Sequence, residues 1–489
     1  MQEVRKEDRQ NLNVIDIIAK NDFCVGCGIC AGISSSHCNS LKMSWNAYGE
    51  YVPYRASEEC DNCGLCLRTC PFWNENDNET VLADAQFGGH SGIHRDSILG
   101  LYLDTFSGYS CVDGHRENGA SGGLTTWLLE TLVKNNIVDR VICAKSFGDS
   151  DCLFRLSMVD SVSEIRRASK SVYYPVETSQ LIPEIIRSNK KYAFVGLPCF
   201  LKGLRLAAEQ NHLLAERIVV MVGLVCGQAK SKYFAEYLTA KAGGQPAELK
   251  SATFRVKDSS RHHLDHRFQF ITRSGEDLRV GHIYQSEGMS GIWGQDWFKL
   301  NACNYCDDIT AEVADVTFGD AVDDRYSYKN LGANFVIVRS PRIKELLLRG
   351  AKVAELVLDR VPVKAIIDRQ KGVILNKRED LRHRLYMRRY FPDSTSYVPM
   401  KRVVPGKRSD TAANNDMAIR DAIRNASRAA YAMYRYQPEV VDKVMSAVNS
   451  SHEKDSRTDL AFRLWCRGAS VMQQLHRALA LKHRSSNLK

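Results

Sequence analysis

The sequence lacks any apolar stretch near the roughly 20 residues that a membrane-spanning helix requires. Its best candidate, Ile218 to Cys226, has only the length of a buried strand. Residues 1–14 are rich in charge and lack the apolar core of a secretory signal peptide. Basic segments interleaved with aromatic residues, as in nucleic-acid-binding motifs, are also missing. We therefore expect a cytoplasmic protein with no transmembrane segment and no nucleic-acid partner.

Cysteine, in contrast, is abundant, with 16 in a chain of 489 residues. The chain is long and the spacings are those of metal ligands, so a disulfide framework is not expected. The most specific motif reads Cys60-x-x-Cys63-x-x-Cys66-x-x-x-Cys70-Pro71. This is the pattern that binds 4Fe–4S clusters in bacterial ferredoxins.

A second motif nearby completes the pattern of a two-cluster ferredoxin. It reads Cys24-x-x-Cys27-x-x-Cys30, and seven residues separate it from Cys38, the candidate fourth ligand. In two-cluster ferredoxins the fourth cysteine of each motif binds the other cluster. The expected ligand sets are therefore Cys24, Cys27, Cys30 and Cys70 for one cluster, and Cys60, Cys63, Cys66 and Cys38 for the other. Paired CxxC motifs also suit tetrahedral zinc, which is the alternative.

The pattern along the chain predicts an α+β multidomain protein. Residues 1–85 form a ferredoxin-like two-cluster domain, residues 95–376 an α/β domain with a largely parallel sheet, and residues 377–489 a basic helical tail. The segment from Glu75 to His94 has the composition of a linker. Strands are predicted at Val138–Ala144, Tyr192–Leu197, Ile218–Val225, Ala314–Phe318 and Phe335–Val338, with a hairpin of Arg267–Thr272 and Asp277–His282.

The tail holds nearly all of the net positive charge. Residues 401–489 carry 17 Lys and Arg but only 8 Asp and Glu. Helical periodicity predicts helices over Met417–Tyr436 and Leu460–His483, separated by Pro438. An acidic protein or an anionic membrane surface is a candidate partner for this charge, and a solvated helical face is the alternative.

Four further cysteines lie at the ends of predicted elements. Cys199 follows one predicted strand, Cys226 ends another, and Cys303-x-x-Cys306 precedes a third. Ligand sites in parallel α/β sheets lie at the carboxyl ends of strands, so these four thiols could enclose a third 4Fe–4S cluster. A structural zinc site, or ordinary buried cysteines at Cys199 and Cys226, are the alternatives.

Two small segments are candidates for anion binding. Ser121-Gly122-Gly123 precedes a predicted helix, and small residues at a helix start let backbone N–H groups approach a phosphate. Lys170 is a candidate phosphate or flavin contact. An ordinary helix cap and a surface lysine are the alternatives.

The order of these motifs resembles that of the coenzyme F(420) hydrogenase/dehydrogenase β-subunit family, over roughly residues 20–340. The chain departs from the family pattern at Ala168 and Ser171, which flank the Ser-Lys pair, and at Leu197 and Phe200, which flank Pro-Cys. The matching segments are the ferredoxin motifs, Ser121-Gly122-Gly123, Ser169-Lys170, Gly196-x-Pro198-Cys199, Gly223-x-x-Cys226-Gly227, Cys303-x-x-Cys306-Asp307 and Ala314-Asp315-x-x-x-Gly319-Asp320.

The resemblance implies site residues in the α/β domain. A third 4Fe–4S cluster would be bound by Cys199, Cys226, Cys303 and Cys306. FAD would be contacted by Ser121, Gly122, Gly123 and Lys170.

The resemblance also implies an activity. The resemblance implies an iron–sulfur flavoprotein oxidoreductase that relays electrons between a one-electron carrier, such as ferredoxin, and FAD. Such an enzyme would reduce or oxidise a small-molecule substrate. A deazaflavin is one candidate substrate, although the departures around Lys170 and Cys199 leave that site open. The alternative is a non-catalytic electron-transfer subunit of a larger complex, tied to polysaccharide biosynthesis, because the family includes bacterial proteins linked to surface-polysaccharide genes.

Overall fold

A computed structural model describes residues 12–57, 60, 63–149, 152–257, 266–281, 290–321, 324–326, 331–390 and 397–453. Its strands are β1 (Leu41–Trp45), β2 (Tyr51–Arg55), β3 (His94–Asp96), β4 (Gly100–Tyr102), β5 (Asp104–Ser110), β6 (Arg140–Asp149), β7 (Cys152–Val159), β8 (Tyr192–Gly196), β9 (Ile218–Leu224), β10 (Leu249–Val256), β11 (Arg267–Thr272), β12 (Asp277–Val280), β13 (Val316–Ala321), β14 (Ala333–Val338) and β15 (Leu356–Arg360).

The helices lie before, between and after these strands, and short 3₁₀ and π-helical turns connect some of them. They are α1 (Ile29–Ser34), α2 (Leu65–Arg68), α3 (Glu79–Phe87), α4 (His115–Asn118), α5 (Leu124–Lys134), α6 (Val162–Arg167), α7 (Leu181–Arg187), α8 (Pro198–Gln210), α9 (His212–Arg217), α10 (Tyr233–Lys241), α11 (Ser290–Gly294), α12 (Pro341–Lys352), α13 (Val363–Arg369), α14 (Lys371–Leu375), α15 (Leu381–Tyr390), α16 (Thr411–Met433) and α17 (Pro438–Glu453).

The largest sheet is mixed, with the strand order β15-β5-β14-β13-β9-β8-β6-β7. Four adjacent strands, β13, β9, β8 and β6, are parallel. The other pairings are antiparallel. The expectation of a largely parallel sheet is therefore wrong. Strands β6 and β7, which are only two residues apart in the chain, run antiparallel, whereas helices α8 and α9 connect the parallel strands β8 and β9.

Strand β9 lies inside the sheet, between β13 and β8, as its apolar sequence predicts. Val220 and Val222 pack into the core on one face of the sheet. Met221, between them, packs into the core on the opposite face. Both faces of the sheet are therefore covered, which explains the nearly continuous apolar run.

The predicted hairpin is confirmed by the antiparallel pairing of β11 and β12, and β10 joins it to form a three-stranded sheet. Gly275 in the turn has φ of 89°, a conformation that glycine adopts without strain. His282, the last residue of the predicted hairpin, lies outside the described residues.

The predicted linker from Glu75 to His94 is wrong, because it contains helix α3. The Asn78 side chain accepts hydrogen bonds from the backbone N–H groups of Thr80 and Val81 and so caps the helix. Leu82 and Phe87 are buried. Asn78, one of the Asn and Asp residues whose abundance indicated a loop, is in fact the cap of this helix.

Two helices of the tail pack against the rest of the protein. Helix α16 covers most of the predicted Met417–Tyr436, and Pro438 opens α17, in the first turn where proline is tolerated. Buried residues of both helices join an aromatic core with α10 and the three-stranded sheet. The predicted helix Leu460–His483 lies outside the described residues. In the described ranges, no helix has the length and apolar character needed to cross a membrane.

Candidate functional site

The structure brings Cys24, Cys27, Cys30 and Cys70 to one cavity of about 330 Å³, and we call these residues the first cysteine group. Gly26 and Gly28, both with positive φ, shape the loop between the first cysteines, and α1 begins immediately after it. Cys70 arrives from the segment that follows α2. Three side chains of this group therefore come from the first motif and one comes from the second, while the crossed ligation itself stays a prediction.

Cys38, Cys60, Cys63 and Cys66, the second cysteine group, line another cavity of about 450 Å³. Gly64 has φ of 69° and starts helix α2 between two of the cysteines. The Cys38 sulfur lies 2.8 Å from Ser40 Oγ and 3.3 Å from Ser34 Oγ. Cys38, which lacks the standard spacing and a following proline, thus lies beside the other motif, as a crossed ligand must.

The third cysteine group consists of Cys199, Cys226, Cys303 and Cys306. Cys199 and Cys226 follow the adjacent parallel strands β8 and β9. Burial raises the pKa of Cys199 far above its usual value, and the charges of the other three thiols raise it further. These four side chains therefore lie close together at the carboxyl edge of the sheet.

The three cysteine groups are neighbours, because Cys24, Cys66, Cys199 and Cys306 all pack against one apolar cluster that contains Cys30 and Cys70. Among the causes that raise thiol pKa values, the charge of Cys66 acts on Cys30, which joins the second group to the first. The charge of Cys27 acts on Cys199, which joins the first group to the third. A Cβ added at Gly203 of α8 would lie only 2.6 Å from Ile29 Cδ1, so this glycine permits the close approach of the two regions.

The thiols are chemically suited to a bound cationic group. Burial raises the pKa of Cys27 to about 11, and those of Cys70 and Cys226 to about 12. These side chains alone are therefore neutral thiols at neutral pH. A coordinated metal reverses this preference, because a ligating thiol loses its proton.

Within the described ranges, no group of three or more His, Cys, Asp or Glu side chains is arranged to hold a metal ion. A 4Fe–4S cubane is much wider than one ion, so the four thiolates that bind it stand further apart than the ligands of a single ion. The donor set of four cysteines at each place fits iron–sulfur ligation.

Lys377 contacts the third cysteine group, and sequence spacing gave no signal for it. Its Nζ donates to Cys306 Sγ at 3.2 Å and to the carbonyl oxygen of Asp308 at 2.8 Å. Burial lowers the pKa of Lys377, but the thiolates of Cys306, Cys226 and Cys303 outweigh burial and hold the pKa above its ordinary value.

Asp307, which follows Cys306 in the family motif, anchors the C-terminal region. The side chain of Arg402 donates to Asp307 Oδ2 at 3.2 Å and forms two hydrogen bonds of 2.7 and 2.8 Å with Glu312. Nearby, Tyr397 donates its hydroxyl to the carbonyl oxygen of Phe72, two residues after Cys70. Residues 397–402, which we call the strap, therefore join the first and third cysteine groups.

The residues expected to contact FAD phosphates are largely engaged in packing. Ser121 Oγ donates to the carbonyl oxygen of Ala333 at 2.5 Å. A Cβ at Gly122 would lie 2.7 Å from the backbone nitrogen of Asn334. Asn334 Oδ1 also accepts from the backbone N–H of Leu124, the first residue of α5. Close packing against β14 therefore accounts for the small residues here.

A pair of lysines lies near the same loop. Lys257 Nζ donates to the carbonyl oxygens of Ser121 at 2.8 Å and Leu331 at 2.6 Å, and also to that of Arg116. Burial, followed by the positive charge of Lys170, lowers the pKa of Lys257 to about 7. Burial also lowers the pKa of Lys170, which makes no hydrogen bond or ion pair within the described ranges. An anion here would relieve the repulsion between the two ammonium groups.

Comparisons with known proteins agree with the family resemblance. Residues 105–183 match the model of the N-terminal part of the coenzyme F(420) hydrogenase/dehydrogenase beta subunit, and residues 189–362 match the model of its C terminus. The two matches together span just over half of the chain, and they define an oxidoreductase subunit that transfers electrons. The chain belongs to the coenzyme F(420) hydrogenase/dehydrogenase β-subunit family.

Among solved structures, the chain is similar to one from the F(420)-reducing NiFe hydrogenase complex of Methanosarcina barkeri. The identity is 16%, the TM-score is 0.47, and the match covers 63% of this chain and 99% of that chain. No curated protein matches.

Proposed function

We propose that the protein is an FAD- and 4Fe–4S-dependent oxidoreductase of the cytoplasm. In this proposal, residues 1–85 form a ferredoxin-type domain with two clusters, residues 95–376 hold a third cluster and FAD, and residues 377–489 form the tail. It would exchange electrons between a one-electron carrier of the ferredoxin type and a small-molecule substrate, with a deazaflavin as one candidate. The observation that carries the proposal is the meeting of twelve cysteines in three groups of four.

Bound 4Fe–4S clusters carry single electrons, and bound FAD can exchange two. The protein's own part is to hold the thiolates, exclude water and place the groups in sequence. All four cysteines of the second group are partly exposed, whereas Cys27, Cys30 and Cys303 are buried. The second group is therefore the place where we expect an external carrier to dock.

The lysine pair supports FAD binding in the α/β domain. Lys257, Lys170 and Arg116 place three positive charges near this loop, of which Glu117 and Asp320 offset a part, and such a cluster favours a polyanion such as a pyrophosphate. Lys257 already donates hydrogen bonds to three backbone carbonyl oxygens. Lys170 is therefore the lysine that is available to contact the pyrophosphate. In this proposal, Lys170 contacts the phosphates, and Gly122 and Gly123 serve mainly in packing.

Metal and flavin analysis of anaerobically purified protein tests the proposal. Three clusters require about twelve irons per chain, with equal sulfide, and one FAD. Cys63→Ser should remove the iron of one cluster and leave FAD bound, while Cys111→Ser, at an exposed cysteine outside the three groups, should keep all iron. Zinc with no visible absorbance would overturn the assignment in favour of structural metal sites.

The alternative is a non-catalytic electron-transfer subunit that docks through its tail. A turnover assay distinguishes this subunit from an enzyme. Substrate conversion by the isolated chain, with a reduced or oxidised one-electron carrier, supports the enzyme. The described part of the tail favours the enzyme as well, because its buried arginines are paired inside the protein. Arg428, for example, pairs with Asp22 and Glu50, both at 2.8 Å.

A further inference from the structure

Lys377 is a buried cation beside the third cysteine group. Lys377 is only 2% exposed, and its Nζ lies 3.2 Å from Cys306 Sγ. No carboxylate pairs with it in the part of the chain that the structure describes. A buried ammonium needs compensating negative charge, and the ligand sulfurs would supply it once a bound metal group removes their protons.

The backbone fixes this position. Lys377 lies in a π-helical turn, Asn376–Asp380, and such turns are frequent at functional sites. Asp380 at the end of the turn pairs with Arg408 and Arg420, both at 2.6 Å. Lys377 lies beyond residue 362, where the family model ends, so this contact comes from the chain's own C-terminal region.

We propose that Lys377 sets the reduction potential of a 4Fe–4S cluster bound by Cys199, Cys226, Cys303 and Cys306. The inference rests on the proposed function, because it requires a cluster at that place. Gain of one electron from a reductant adds one negative charge to such a centre, and a buried positive charge stabilises the reduced form more than the oxidised form. The hydrogen bond to a ligand sulfur acts in the same direction. Lys377 is therefore a positioning residue that raises the potential without touching substrate.

Potentiometric titration of the full-length protein tests this role. The third cluster is reduced with dithionite and mediators and followed by electron paramagnetic resonance, its signal being identified by loss in Cys303→Ala. Lys377→Met should shift the ratio of reduced to oxidised third cluster at least tenfold towards the oxidised form at a fixed potential, which is 59 mV for a one-electron couple. Lys371→Met, at an exposed lysine one turn and a half away, is the matched control and should leave the potential unchanged.

Each outcome decides the proposal. An unchanged potential in Lys377→Met, with the cluster present, overturns it. If Lys377→Met loses the third cluster, Lys377→Arg decides: a cluster with the wild-type potential supports the role of the cation, and loss of the cluster there too shows a purely structural role. If the wild type holds only about eight irons, the third cluster itself is absent, and the proposed function fails at that site together with this inference.

Discussion

At the scale of single residues, substitution of Lys170 tests whether its side chain contacts a ligand or only contributes to the fold. It is partly buried and makes no ion pair within the described ranges, so its removal costs the folded protein little. If it binds an FAD phosphate, Lys170→Met loses a charge-assisted hydrogen bond worth about 1.5–3 kcal/mol. We therefore expect FAD affinity to fall by roughly 10- to 100-fold, with an unchanged unfolding midpoint.

Fluorescence titration of apoprotein with FAD measures this loss. Lys190→Met, at an exposed lysine in the same domain, is the control and should bind FAD as the wild type does. Equal FAD affinity in Lys170→Met would show that Lys170 is only a surface lysine. The flavin phosphates would then have to be sought elsewhere in the α/β domain.

At the scale of elements, the strap of residues 397–402 gives a prediction about stability. Arg402→Met would remove the ion-pair partner of Asp307, which is 1% exposed, and leave Glu312, which is 4% exposed, with only the longer contact of 4.0 Å to Arg378. Removing one partner of a buried ion pair costs about 3–5 kcal/mol. We expect a loss of this size in urea denaturation at pH 7, whereas Arg360→Met, whose side chain is 68% exposed, should change stability by about 0.5 kcal/mol or less.

The pH dependence of that loss has a definite sign. Burial would raise the pKa of Asp307, but the charges of Arg402, Lys401, Arg378 and Lys202 together outweigh it and hold the pKa below its usual value. The ion pair therefore stabilises the protein above the usual carboxyl range, and the stabilisation disappears as pH falls through the lowered pKa. Without Arg402 the pKa of Asp307 should rise, so the difference in unfolding free energy between variant and wild type should narrow as pH falls below the usual carboxyl range, from about pH 5 to about pH 3. A constant difference would show that Arg402 acts through packing alone.

Some of the strands and cysteine groups could be predicted from the sequence, whereas strand directions and distant contacts could not. The positions of β8, β9, β13 and β14 were predictable, because apolar runs of strand length bounded by polar residues are a local signal. Strand direction was not, because β14 reverses after β13 only through the connection between them, which composition does not encode. The cysteine groups were predictable because ligand spacing is also local. Lys377 reaches Cys306 across 71 positions in the chain, and no spacing rule connects such residues.

At the scale of the whole molecule, residues 397–453 of the C-terminal region are part of the folded body rather than an appended arm. Helix α16 carries Arg428, whose side chain is 0% exposed and donates to Asp22 and Glu50 of the N-terminal region. The same guanidinium lies over the ring of Tyr48, 4.7 Å from its centroid. The positive charge of the tail, which alone would indicate an acidic partner or a membrane surface, is thus partly used by Arg428 to bind the region around Asp22 and Glu50.

Arg428→Met tests this integration. Glu50 is 5% exposed and would lose its cation, so we expect a loss of about 3–5 kcal/mol in urea denaturation and faster proteolysis within residues 411–453. Lys443→Met, at an exposed position of α17, is the control and should behave as the wild type. Unchanged stability in Arg428→Met, together with weaker binding to anionic phospholipid vesicles, would instead make α16 a docking element. Because a buried, doubly paired guanidinium cannot reach a vesicle without leaving Asp22 and Glu50, the two outcomes exclude each other for this residue.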